Sequence, residues 1–201
     1  MRKISPLDRI LILLAVLLAC YQVVVGIDDL DSFAIASYSV GFGIILVAGL
    51  LIIILGFEVL DSPHVAVVST LIPLSLSAGL IDMFYPAARF GYLLFAIAAF
   101  LLVIISRYAF PGKIAHFFLI LAHGISGMLI FSLPFLLSMQ GVTPPAFILV
   151  GFGGALIGLF GVMLSFLKAN KPILPQHKLL SLFPALLLVM TAAFTFGFAL
   201  V

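Results

Sequence analysis

Charged side chains vanish from this sequence over stretches as long as a lipid bilayer is thick. After Arg9 the next charge is Asp28, and further uncharged runs extend from Ser32 to Phe57, Ser62 to Ile81 and Phe90 to Ser106. None lies between Lys113 and Lys168, and none follows Lys178. A helix rising 1.5 Å per residue needs about 20 mostly apolar residues to cross a hydrocarbon layer about 30 Å thick. The chain is 65% hydrophobic and 8% charged, against about half and about a quarter in soluble domains. Too few polar groups are present to cover a compact body in water, so lipid is the solvent that fits.

The expected fold is an all-α, polytopic membrane bundle forming a single transmembrane domain over 1-201. Seven helices are predicted near 9-27, 33-57, 64-84, 88-106, 114-138, 146-167 and 179-200. The long run after Lys113 holds two of them, divided at Gln140-Gly141-Val142-Thr143-Pro144-Pro145, where Gly and Pro interrupt a helix. Arg2, Lys3 and Arg9 ahead of Ile10–Leu18 have the outline of a signal peptide, and Leu17-Leu18-Ala19-Cys20 resembles a lipoprotein cleavage site. The apolar run continues through Val23-Val24-Val25, long enough to span, and is read as an uncleaved first helix. Short loops make successive helices antiparallel neighbours.

Basic residues set the orientation, because they are retained in the cytoplasm. With the N-terminus inside, Arg2, Lys3, Arg9, Arg107, Lys113, Lys168, Lys171 and Lys178 share the cytoplasmic side, and Arg89 alone lies outside. The C-terminus is then outside. Gly41-Phe42-Gly43, Arg89-Phe90-Gly91 and Gly151-Phe152-Gly153 on descending helices, with Pro73, Pro134 and Pro184 on ascending ones, suggest one helix followed by three hairpins. The predicted setting is a cell membrane crossed many times. The net charge of +2 gives no footprint for nucleic acid. One cysteine, Cys20, excludes an internal disulfide framework and a cysteine-only metal cage.

Ionisable groups inside a bilayer are costly and therefore candidates for function. None of Asp, Glu, Lys or Arg falls near mid-membrane; Asp82 and Arg89 flank the Tyr85-Pro86 turn, where they can pair. His123 is the exception, about 14 Å into the fifth helix. His116 lies two turns earlier on nearly the same face, and Ser126 one turn later. His116, His123 and Ser126 form the candidate ligand-binding or pathway face. His64, His116 and His177, with Glu58 and Asp61 nearby, are candidate ligands for a metal or haem b on the cytoplasmic side, although none has the spacing of a local metal motif. No cofactor is the simpler expectation.

Gly124-Ile125-Ser126-Gly127 resembles the nucleophile tetrapeptide of rhomboid-type intramembrane proteases, and Gly153-Gly154 with Gly158 resembles their glycine-rich partner helix. That helix should supply a general-base histidine, and Val150, Phe152 and Leu156 occupy the neighbouring positions. A serine without a positioned base is not activated, so no catalytic role is assigned.

Gly154, Gly158, Gly161 and Ser165 form a stripe of small residues on the sixth helix, suited to close helix packing. It would face another helix of the same chain, a second copy, or another membrane protein. Pro73, Pro134 and Pro184 each free a carbonyl one turn earlier, with Ser69, Thr70, Ser132 and Ser181 near enough to compensate. Three classes follow: a binding or transport protein for a small solute or lipid, a non-catalytic accessory subunit, and a metal- or haem-dependent enzyme or redox subunit. The first has the most support from the sequence.

Overall fold

The computed structural model describes residues 3–27, 30–110, 112–168 and 173–200, and no side chain at 162, 164–166 or 168. All regular structure among them is helical: α1 (Pro6–Val25), α2 (Ser32–Leu55), α3 (Pro63–Phe84), α4 (Arg89–Ala109), α5 (Lys113–Met139), α6 (Ile148–Lys168) and α7 (Gln176–Phe198). Six of the seven are long and apolar enough to cross a membrane, and α6 contributes a shorter apolar stretch within its described side chains.

Local chemistry places the ends, which run a few residues from where charge alone puts them. α1 starts at Pro6 because Ser5 caps it: the Ser5 hydroxyl accepts from Asp8 N–H at 3.1 Å and the Asp8 carboxylate accepts from Ser5 N–H at 2.8 Å. This capping box satisfies two otherwise orphaned donors. α1 and α2 stop at Gly26 and Gly56, whose φ angles of 75° and 81° suit glycine. Residues 57–61 continue as a single 3₁₀ turn.

Six helices form a closed ring in the order α1, α2, α3, α5, α6, α7, with α7 returning against α1. α4 lies outside it, in the groove between α3 and α5. Glycines set several contacts. Gly49 receives Val16 of α1, Gly79 lies under the Tyr38 ring, and Gly153 lies under Phe194. A methyl group at any of these would come within 2.5 to 2.6 Å of its neighbour. The pairings run antiparallel between sequential helices, so Lys113 and Lys178 stand at one end of the bundle.

Side chains fill the ring's centre in the half remote from Lys113 and Lys178. Phe42 meets Phe194 and Phe198 edge to face at 6.4 and 6.2 Å, Tyr38 tilts onto Phe198 at 4.5 Å, and Phe147 joins them at 6.0 Å. Leu76, Leu80, Ile130 and Val150 complete the cluster, each at most 1% exposed. The Tyr38 and Thr195 hydroxyls are buried here without a hydrogen-bond partner among the described residues.

The three Gly-Phe-Gly or Arg-Phe-Gly tripeptides occupy unlike environments. Phe42 is fully buried, whereas Phe90 and Phe152 are more than half exposed. The hydroxyls beside the prolines turn to their own helices: Thr70 to Ala66, Ser132 to Met128 and Ser181 to His177, at 2.7 to 2.9 Å.

Candidate functional site

Among the described residues, two polar assemblies join the first turns of α4 to its neighbours. At the end remote from the lysines, Asp31 caps α2 by accepting from Ala34 N–H at 2.8 Å. The 3₁₀ turn Pro86–Ala88 reverses the chain so tightly that Arg89 returns beside Asp82 of α3. Arg89 Nη1 then donates to Asp82 Oδ1 at 2.8 Å and to Asp31 Oδ2 at 3.0 Å. Its guanidinium also lies 5.3 Å above the Phe33 ring, near enough for cation–π attraction.

One guanidinium thus joins the ends of α2, α3 and α4. The Asp82 carboxylate is almost wholly buried, while Arg89 and Asp31 are about half exposed. They border an open depression of about 440 Å³ floored by Leu30, Ala34, Met83 and Pro86. The Ala34 N–H, with the Arg89 guanidinium beside it, holds the Asp31 carboxyl below its ordinary value of 3.8. The expected Asp82–Arg89 pair is present; Asp31, distant in sequence, is the addition.

One helical turn further in, the Tyr92 hydroxyl meets the hydroxyls of Ser77 on α3 and Ser126 on α5, the latter at 3.0 Å. It lies 3.3 Å from the Leu74 carbonyl, and Ser77 donates to the Pro73 carbonyl at 2.5 Å. Ser77 and Ser126 are fully buried. This junction ties the outlying α4 to two ring helices. Sequence singles out Ser126 but places it with the histidines, and does not single out Tyr92. Partners 15 and 34 residues away leave no local pattern to find.

The histidines have other partners. His123 Nδ1 pairs with the Leu119 carbonyl at 3.0 Å, and His116 Nδ1 with the Gly112 carbonyl at 2.7 Å, each one turn back on α5. His64 Nδ1 meets the Tyr108 hydroxyl at 2.5 Å, and His177 is exposed at the start of α7. His64, His116 and His177 are the candidate metal ligands, and among the described residues no three His, Cys, Asp or Glu side chains are grouped to hold a metal ion. The His64 and His116 rings are each already engaged, with the Tyr108 hydroxyl and the Gly112 carbonyl.

The small-residue stripe divides. A methyl at Gly154 would lie 2.8 Å from Ile130 Cγ2, 3.1 Å from Phe131 N and 3.2 Å from Ile130 C, so α5 and α6 touch there almost backbone to backbone. One turn on, Gly158 is exposed, and no described atom lies within 4 Å of where its methyl would be. No described atom lies within 4 Å of a methyl placed at Gly124 or Gly127 of α5 either. Gly158 continues the face of Gly154, and Gly127 that of Ile130 and Phe131. Among the described residues the close approach of α5 and α6 is therefore confined to the turn around Gly154. Gly161 is half-buried, and the Ser165 side chain lies outside the described residues.

Comparison with known proteins finds no matching family model, no matching curated sequence and no matching solved structure.

Proposed function

We propose that the protein is a non-catalytic membrane subunit that works through its helix faces, with a helix of another membrane protein docking on the face of α5 and α6. The observation that carries this reading is the filled half of the ring: Phe42, Phe194, Phe198 and Tyr38 occupy the position a conduit would need. The α5–α6 face supplies a place for the partner. Gly124, Gly127 and Gly158 present bare backbone there, and in lipid close backbone approach, rather than hydrophobicity, drives helix association. With the orientation expected from the basic residues, this face would lie in the cytoplasmic half of the membrane.

Extraction with its native lipids in a copolymer belt, followed by size and mass analysis, tests the reading. A stable assembly larger than the 21.5 kDa chain, disrupted by Gly158→Leu with the fold intact, is the expected result. A monomer unaffected by Gly158→Leu overturns it.

The Tyr92 junction favours a second reading, carriage of a small polar solute or proton along the α3–α4–α5 seam. Because α4 lies outside the ring, its movement would leave the core intact. Flux into vesicles that is abolished by Tyr92→Phe would select this reading.

A further inference from the structure

We propose that the depression between the ends of α2, α3 and α4 binds a small zwitterion, an amino acid with a short apolar side chain. Its carboxylate would lie on Arg89 and its ammonium against Asp31 and Asp82. The hollow of about 440 Å³ falls within the range of small-molecule sites, about 300–1,000 Å³. All three charged residues line it, and Leu30, Ala34, Met83 and Pro86 form the rest of its wall.

The bonds already made leave part of each charged group free. Arg89 donates to both carboxylates through Nη1 alone, whereas a guanidinium carries five N–H groups in a planar fork. Nε and Nη2, side by side on the edge away from Nη1, have no partner among the described residues. Such an edge takes a carboxylate through two parallel bonds. Nearly half of the Arg89 side chain is exposed, so a ligand can reach it. Asp82 Oδ2 accepts no bond among the described residues. Two carboxylates against one guanidinium leave one negative charge in excess, and Asp82 carries its charge almost wholly buried, where incomplete compensation is costly. An ammonium supplies the missing cation.

The three groups are in place before a ligand arrives. Asp31 is held by the Ala34 N–H, and Arg89 by both carboxylates and the Phe33 ring. Groups fixed in advance cost little ordering on binding. A metal ion fits poorly: both carboxylates already face a guanidinium, and no third acidic or histidine side chain is grouped with them among the described residues. An anion without an ammonium would oppose two carboxylates, and a cation without a carboxylate would leave the free edge of Arg89 unused. The site involves neither the α5–α6 face nor the Tyr92 junction.

Tritiated L-alanine and L-leucine offered to the full chain in nanodiscs, with bound label read by scintillation proximity, test the assignment. Saturable binding of at least one is expected, with a Kd of about 1 mM or tighter. The methyl ester of that amino acid, which lacks the carboxylate charge, and its N-acetyl derivative, which lacks the ammonium, should each compete about tenfold more weakly. Arg89→Lys keeps the charge and loses the fork; Asp31→Asn keeps a helix cap and loses the charge. Each should weaken binding about tenfold, and melting in the same nanodiscs checks that each is folded. The proposal is overturned by no saturable binding of either amino acid up to about 10 mM, by an ester or acetyl derivative that competes as well as its parent, or by undiminished binding in the folded variants. Phosphoethanolamine competing more strongly than either amino acid would assign the hollow to a lipid headgroup and overturn it likewise.

Discussion

Replacing Gly154 and Gly158 by alanine makes the same chemical change on adjacent turns of α6, and the structure demands opposite results. At position 154 the new methyl would lie 2.8 Å from Ile130 Cγ2 and 3.1 to 3.2 Å from two backbone atoms of α5. Carbon atoms rest at about 3.5–4.0 Å. The side chain of Ile130 can rotate, but the backbone of residues 130 and 131 cannot, so α5 must retreat by several tenths of an ångström. Overpacking of this kind costs about 1–3 kcal/mol, and alanine returns up to about 1 kcal/mol through its greater helix propensity. The net expectation is a loss of about 1–2 kcal/mol.

At Gly158 the packing term is absent, leaving only the propensity gain, and the isolated chain should be unchanged or stabilised by up to about 1 kcal/mol. Unfolding in mixed micelles by increasing SDS, followed by far-ultraviolet circular dichroism, compares the two directly; the chain has no tryptophan to serve as a fluorescent reporter. Equal destabilisation at both positions would refute the confinement of the close α5–α6 approach to the turn around Gly154. A loss at Gly158 that appears only in the native assembly would instead locate the partner.

Three other substitutions probe the polar groups by the same unfolding measurement. Tyr92→Phe should cost about 1–2 kcal/mol, because hydroxyl bonds between membrane helices are each worth about 0.6 and this group serves two helices; a neutral result would remove the junction as a fastening. His123→Leu should cost less than about 1 kcal/mol, since the ring's described bond is to its own helix, and a larger loss would reveal a partner across helices. Acid melts should separate Asp31→Asn from the unaltered chain. With its folded pKa held below 3.8, Asp31 contributes stability that is complete above that value and is lost as pH falls through the lower folded value. Melting temperature should therefore hold down to about pH 4 and fall below it, more steeply in the unaltered chain than in the Asp31→Asn variant; identical acid profiles would show that Asp31 is not held by Ala34 and Arg89.

Spans were legible because hydropathy needs only neighbours in sequence. A run such as Phe90 to Ser106 declares its solvent whatever packs beside it. Helix ends were less so: charge marks where a crossing must stop, but Ser5 with Asp8, and Gly26 and Gly56, decide where a helix does. Pairing was legible only across tight turns, which is why Asp82 with Arg89 could be anticipated and Asp31 could not. The histidines illustrate the converse. Intramembrane depth made His123 conspicuous, yet depth does not specify a partner, and a ring that bonds the carbonyl one turn back incurs little of the desolvation cost that raised the suspicion.

The position of α4 follows from the same economy of polar contacts. A helix outside the ring cannot be held by hydrophobicity, because the lipid it displaces is as apolar as its own surface. Its contacts near mid-helix are ordinary packing by Ala99 and Val103, and its specific ties are polar: Arg89 to two carboxylates, Tyr92 to two serines, and Tyr108 to His64 at the opposite end. Three fastenings spaced along one helix fix its rotation as well as its place. Breaking the Tyr92 tie should loosen α4 while leaving Phe42, Phe194 and Phe198 packed, so hydrogen exchange should rise along residues 89–109 before it rises in α2 or α7. Uniform exchange across all three helices would mean that α4 and the ring unfold as one cooperative body.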